Sequence, residues 1–64
     1  MYRNISFRLH EKKMKHKEFA RSLGIHPTLL SKYINGYREV PKSIRADMAR
    51  LLERDEEWLF QKPH

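Results

Sequence analysis

The chain has 64 residues, no cysteine, and 14 Lys and Arg against 8 Asp and Glu, a formal charge of +6. A length of this order allows one small core and a single domain over residues 1–64, and without thiols neither a disulfide nor a thiolate metal site can support it. No apolar run approaches the length of a membrane span or a signal-peptide core, so a soluble, cytoplasmic protein is expected.

The charge is uneven. Residues 1–45 carry 11 basic and 3 acidic side chains, and residues 46–64 carry 3 and 5. The first part suits a polyanionic partner and the second does not. Period-two alternation is missing, while helical spacing recurs along the chain. Asn4 fits the N-cap of a first helix with Ile5 and Leu9 four apart, and Phe7 and Met14 as further apolar positions. A second helix is expected over about His16 to Leu23, with Phe19, Ala20 and Leu23 inward and Gly24 as its stop. A third spans about Pro27 to Asn35, with Leu30, Tyr33 and Ile34 apolar and Gly36 following. A fourth covers about Ser43 to Leu52, carrying Ile44, Met48, Leu51 and Leu52. Residues 55–60, "DEEWLF", form a last turn or short helix, where Asp55 suits the N-cap and Glu56 and Glu57 the positive end of the dipole. All these apolar positions are assigned to a core. Only Met1–Arg3 and Gln61–His64 look loose. The expected fold is all-α, with five short helices.

Helix, Gly turn and helix over about residues 16–35 is the helix-turn-helix arrangement. Ala20 is small enough to let the second and third helices approach closely. Gly24 takes the left-handed turn after Leu23, and Ile25 tucks into the crease. Pro27 fits the first helical turn, where no backbone donor is needed. Any αα-hairpin shares part of this pattern.

The segment "KEFARSLGIHPTLLSKYINGYREVP" (17–41) resembles the helix-turn-helix transcription regulators of the phage repressor and Cro type, often called the Xre family. The resemblance rests on Phe19-Ala20, Gly24-Ile25, Leu30-Ser31, Gly36, Arg38 and Pro41. "DMARLLERDEEWL" is similar to the closing helices of that family, and the likeness covers about residues 5–60. The chain departs from the pattern at His16, where Gln usually opens the second helix. It departs again at His26, where Ser usually caps the third, and at Lys13, where Gly is common.

The resemblance implies a compact five-helix, lambda-repressor-like domain that binds double-stranded DNA with its third helix in the major groove. Pro27, Thr28, Leu29, Ser31 and Lys32 are then left on or near its outer face. Thr28 can bond base edges or pack on a thymine methyl, and Lys32 can donate to guanine. Leu29 either touches thymine methyls or fills the edge of the core. Ser31 is expected to be partly buried. His16, Lys17, Asn35, Tyr37, Arg38 and Lys42 match the phosphate-contacting positions of the family, with helix N-termini contributing. With no Gln or Asn among the base-reading positions, direct readout is sparse. A homodimer on a two-fold operator is therefore expected, joined through Trp58, Leu59 and Phe60.

An enzyme is not expected. His10, His16, His26 and His64 lack metal-ligand spacing, and no nucleophile–base set is evident, so neither metal nor cofactor is assigned. No small-molecule effector is implied. The alternative is an antitoxin-like protein that uses this fold to bind a partner, with Trp58 and Phe60 as the contact.

Overall fold

Four helices of this protein end in the same way, and that shared ending sets the path of the chain. The computed structural model describes residues 1–62; Pro63 and His64, part of the end expected to be loose, lie outside the described residues. The helices are α1 Arg3–Glu11, α2 His16–Leu23, α3 Pro27–Asn35, α4 Lys42–Leu52 and α5 Glu56–Leu59. There is no strand among the described residues. The five-helix, all-α architecture is the one the apolar spacing predicts.

After α2, the Ile25 N–H reaches back to the Ala20 carbonyl at 3.0 Å and the Gly24 N–H to that of Arg21 at 3.1 Å. After α3, Tyr37 and Gly36 make the equivalent bonds to Lys32 at 2.9 Å and Tyr33 at 3.2 Å. This pair of bonds needs one residue in the left-handed region, and glycine enters it without a Cβ penalty. Gly24 has φ +72° and Gly36 φ +81°. α1 and α4 stop on the same motif without glycine: Lys13 has φ +54° and Glu53 φ +56°. Met14 N–H then bonds Leu9 O at 2.9 Å, and Arg54 N–H bonds Ala49 O at 3.2 Å. The departure at Lys13 therefore leaves the turn intact and strains it.

The core is built from one stripe of each helix. Ile5 and Leu9 come from α1, Phe19, Ala20 and Leu23 from α2, and Leu30, Tyr33 and Ile34 from α3; Val40, Met48, Leu52 and Leu59 complete it. α2 packs on α3 and α4, while α1 bridges α3 and α5. Ala20 is fully buried, as the close approach of α2 and α3 requires.

Several expectations are corrected. Phe7 is 56 % exposed, because α1 needs only Ile5 and Leu9 to seal its inner face. Met14, Ile44 and Leu51 are half-buried at the core's edge. α1 starts at Arg3 after Tyr2, so Asn4 is not its N-cap. The Asn4 amide donates instead to the Trp58 carbonyl at 2.6 Å, tying α1 to α5. Residues 2 and 3 are not loose either. Tyr2 N–H donates to Ile34 O at 2.8 Å, and its ring meets Phe60 edge-on at 5.2 Å. α4 begins at Lys42, one residue earlier than expected, and Asp55 holds the N-cap position of α5 without a side-chain cap bond.

Charged side chains fasten the closing helices. Arg8 Nε donates to the Leu52 carbonyl at 2.8 Å, and Lys12 Nζ to that of Leu51 at 3.4 Å. Both meet the carbonyl end of α4, where the helix dipole favours positive charge. Lys12 also pairs with Glu53 at 3.5 Å.

Candidate nucleic-acid interface

α2, the Gly24 turn and α3 form a packed pair whose inner faces are in the core. Leu30, Tyr33 and Ile34 point inward from α3, so the helix presents Pro27, Thr28, Ser31 and Lys32 to solvent. Leu29 is half-buried against the core, which favours its role as edge filler. Ser31 is exposed rather than partly buried, on the flank of α3 about 100° round from Leu30. Its hydroxyl accepts from Asn35 Nδ2 at 3.4 Å, linking a base-reading candidate to a phosphate candidate. His16, Lys17, Asn35, Arg38 and Lys42 are exposed, and Tyr37 is 79 % exposed.

The three helix starts on this side differ in what they offer. Among the described residues, the N–H groups of His16, Lys17 and Glu18 in α2 have no intramolecular acceptor, nor have those of Lys42, Ser43 and Ile44 in α4. These two ends can meet an anion. α3 is closed. Pro27 has no N–H, the Thr28 N–H donates to His26 Nδ1 at 3.1 Å, and that of Leu29 to the His26 carbonyl at 3.0 Å. The expectation of phosphate binding at helix N-termini therefore excludes α3.

Apart from Arg3, Lys13 and Lys62, which are exposed and, among the described residues, also without a partner, the basic residues sort by what they touch. Arg8, Lys12, Arg45, Arg50 and Arg54, all outside α2, α3 and the loop after them, have intramolecular partners. Arg45 donates to Val40 O at 3.2 Å, Arg50 pairs with Asp47 at 3.0 Å, and Arg54 stacks 3.6 Å over the Trp58 ring. Lys15, Lys17, Arg21, Lys32, Arg38 and Lys42 are exposed and, among the described residues, their side chains have no hydrogen-bond or ion-pair partner. Between residues 15 and 42 only Glu18 and Glu39 oppose them.

A family model described as helix-turn-helix matches residues 6–59. The chain belongs to this helix-turn-helix family. It is a DNA-binding helix-turn-helix regulator of the Xre family, and the family is one of DNA binders rather than of enzymes. No curated protein and no solved structure matches the chain.

Within the family pattern, sequence reasoning missed two residues on this face. Arg21 lies four positions after Lys17 on α2, and that spacing was its only signal. His26 performs the cap that Ser usually supplies. Of the expected dimer contacts, Leu59 is 0 % exposed and belongs to the core, so its side chain is not available to a second copy. Trp58 and Phe60 are half-buried: Arg54 covers one ring, while Tyr2 and Arg45 flank the other. Among the described residues, no group of His, Cys, Asp and Glu is placed to hold a metal ion, and no helix is long and apolar enough to cross a membrane.

Proposed function

We propose that this protein is a small repressor- or Cro-like transcription regulator that binds a two-fold operator as a homodimer, with α3 in the major groove. The observation that carries this reading is the sorting of the basic residues. Among the described residues, six exposed cations around α2, α3 and the following loop are left without intramolecular partners, while Arg8, Lys12, Arg45, Arg50 and Arg54 are engaged within the chain; the other unpartnered cations, Arg3, Lys13 and Lys62, are scattered. Free, clustered cations around one exposed helix match a duplex backbone on both sides of a groove.

In this reading Thr28, Ser31 and Lys32 contact base edges, with van der Waals contact from Pro27 and the rim of Leu29. His16, Lys17, Asn35, Tyr37, Arg38 and Lys42 hold phosphates and fix the register. So few base-reading groups give one copy limited discrimination. A second copy roughly doubles the free energy of readout, and DNA shape adds to it. Trp58 and Phe60 supply the contact between copies, with half-site centres about 34 Å apart.

Selection from a random duplex library tests the proposal, with the stoichiometry measured on the selected site. Inverted repeats bound by two chains are the expected result. Selected sites without two-fold symmetry, each bound by one chain, would refute the dimer.

A further inference from the structure

Among the described residues, His26 is the only side chain bonded to the first turn of α3, and it is bonded through a lone pair that a proton can occupy. Thr28 N–H donates to His26 Nδ1 at 3.1 Å. The ring must therefore be neutral with its proton on Nε2, since an imidazolium has two donors and no acceptor. A Ser or Asn at this position would cap the helix at any pH.

We propose that His26 is a positioning residue for base reading, and that its protonation state sets how selectively α3 reads DNA. This rests on the DNA-binding reading above. Thr28 sits in the first turn of α3, beside Pro27, whose missing N–H leaves that turn one fewer tie. When a solvent proton binds Nδ1, the Thr28 N–H loses its acceptor and the ring becomes a cation at the positive end of the α3 dipole. The first turn then frays, and Thr28 must be ordered again each time it meets a base.

The groups around the ring decide what the added charge does. His26 shares a shallow cavity of about 340 Å³ with Lys17 and Arg21 of α2 and with Ile25 and Pro27. No carboxylate lines it. Protonation thus adds a positive charge to a cluster that already faces a polyanion. Affinity for any duplex rises with the same event that blurs base reading, and the two trends have opposite sign.

The test compares wild type, His26→Ser and His26→Ala on a selected duplex and on a scrambled one, from about pH 8 to about pH 5.5. The ratio of the two affinities in wild type should fall roughly fivefold over that range, the equilibrium equivalent of one N-cap, while binding to the scrambled duplex tightens. His26→Ser should keep the high ratio at both ends, and His26→Ala should show the low ratio throughout. Wild type and His26→Ser moving in parallel would overturn the proposal. In the free protein, the Thr28 amide resonance should follow the imidazole titration in wild type and stand still in His26→Ser. A Thr28 amide that ignores the titration overturns the cap alone. A wild type that prefers no duplex at pH 8 overturns the DNA reading, and with it this use of the cap.

Discussion

Around α1 and the closing helices, Arg8 and Lys12 close the carbonyl end of α4, Arg45 holds the Val40 carbonyl, and Arg54 lies on Trp58. Around the helix-turn-helix, Lys17, Arg21, Lys32, Arg38 and Lys42 reach into solvent and, among the described residues, have nothing from the chain to hold. The two regions use the same residue types for different ends. Where an Arg or Lys has been given a carbonyl or an aromatic face, its removal is a loss to the fold. Where it has not, its partner must come from outside. Net charge alone does not separate these cases, and the basic count of the chain overstates what is available to DNA.

The largest effect that sharpens this contrast is expected at Arg8. Arg8→Ala removes a charge-assisted bond to a carbonyl at the buried end of α4, at a cost of about 1.5–3 kcal/mol. For a domain of this size that corresponds to a fall in Tm of roughly 10 °C, readable from Trp58 fluorescence or circular dichroism. DNA affinity, measured where the variant is fully folded, should be unchanged.

On the free side the balance inverts. Lys32→Ala should leave the free energy of unfolding within about 0.5 kcal/mol of wild type, as for an ordinary surface change. It should change the preferred bases at a cost of about 1–3 kcal/mol on the best site. Arg38→Ala should weaken every duplex about equally and lower the salt slope by roughly one. If the two variants behave alike across a panel of sequences, Lys32 is not a base reader.

A smaller effect, of opposite sign, belongs to the strained turn. Lys13→Gly relieves a left-handed conformation that costs a side chain about 1–2 kcal/mol, offset by the greater freedom of glycine in the unfolded chain. A net gain of about 0.5–1 kcal/mol in urea unfolding is expected. A loss of stability would show that the Lys13 side chain contributes more than its backbone costs.

The smallest concerns His16. A phosphate beside an imidazole favours its charged form. In a His26→Ser background, where that second histidine no longer contributes, affinity for DNA should then rise as pH falls from about 8 to 6, by less than about tenfold, and His16→Gln should flatten that rise. Parallel curves for the two proteins at constant ionic strength would remove His16 from the phosphate contacts.

Much of the fold was legible because it rests on local rules. Apolar spacing placed Ile5 and Leu9, Phe19 and Leu23, Leu30 and Ile34. Gly24 and Gly36 marked two helix ends to the residue. What sequence could not supply was contact at long range. Asn4 reads as a cap until its amide is seen on Trp58, 54 residues away. Leu59 and its neighbours Trp58 and Phe60 read alike in a four-residue helix, where no period is long enough to say which one faces in. The exposed residues of α3 followed from its buried ones. The division of cations into held and free did not, since it depends on which carbonyls and rings the fold brings within reach. His26 was visible only as a departure from a pattern, and its cap depends on ring geometry that no spacing encodes.

Mapping a duplex onto the backbone amides tests the division most directly. In a titration of isotope-labelled protein with a selected duplex, the largest shifts should fall on His16 and Lys17, on Thr28 to Lys32, and on Tyr37 to Arg38 and Lys42. The stretch from Arg50 to Glu57, whose arginines are already engaged, should stay nearly still, with any secondary change confined to Trp58 and Phe60 where a second copy packs. Shifts concentrated between Arg50 and Glu57, with α3 silent, would contradict the account.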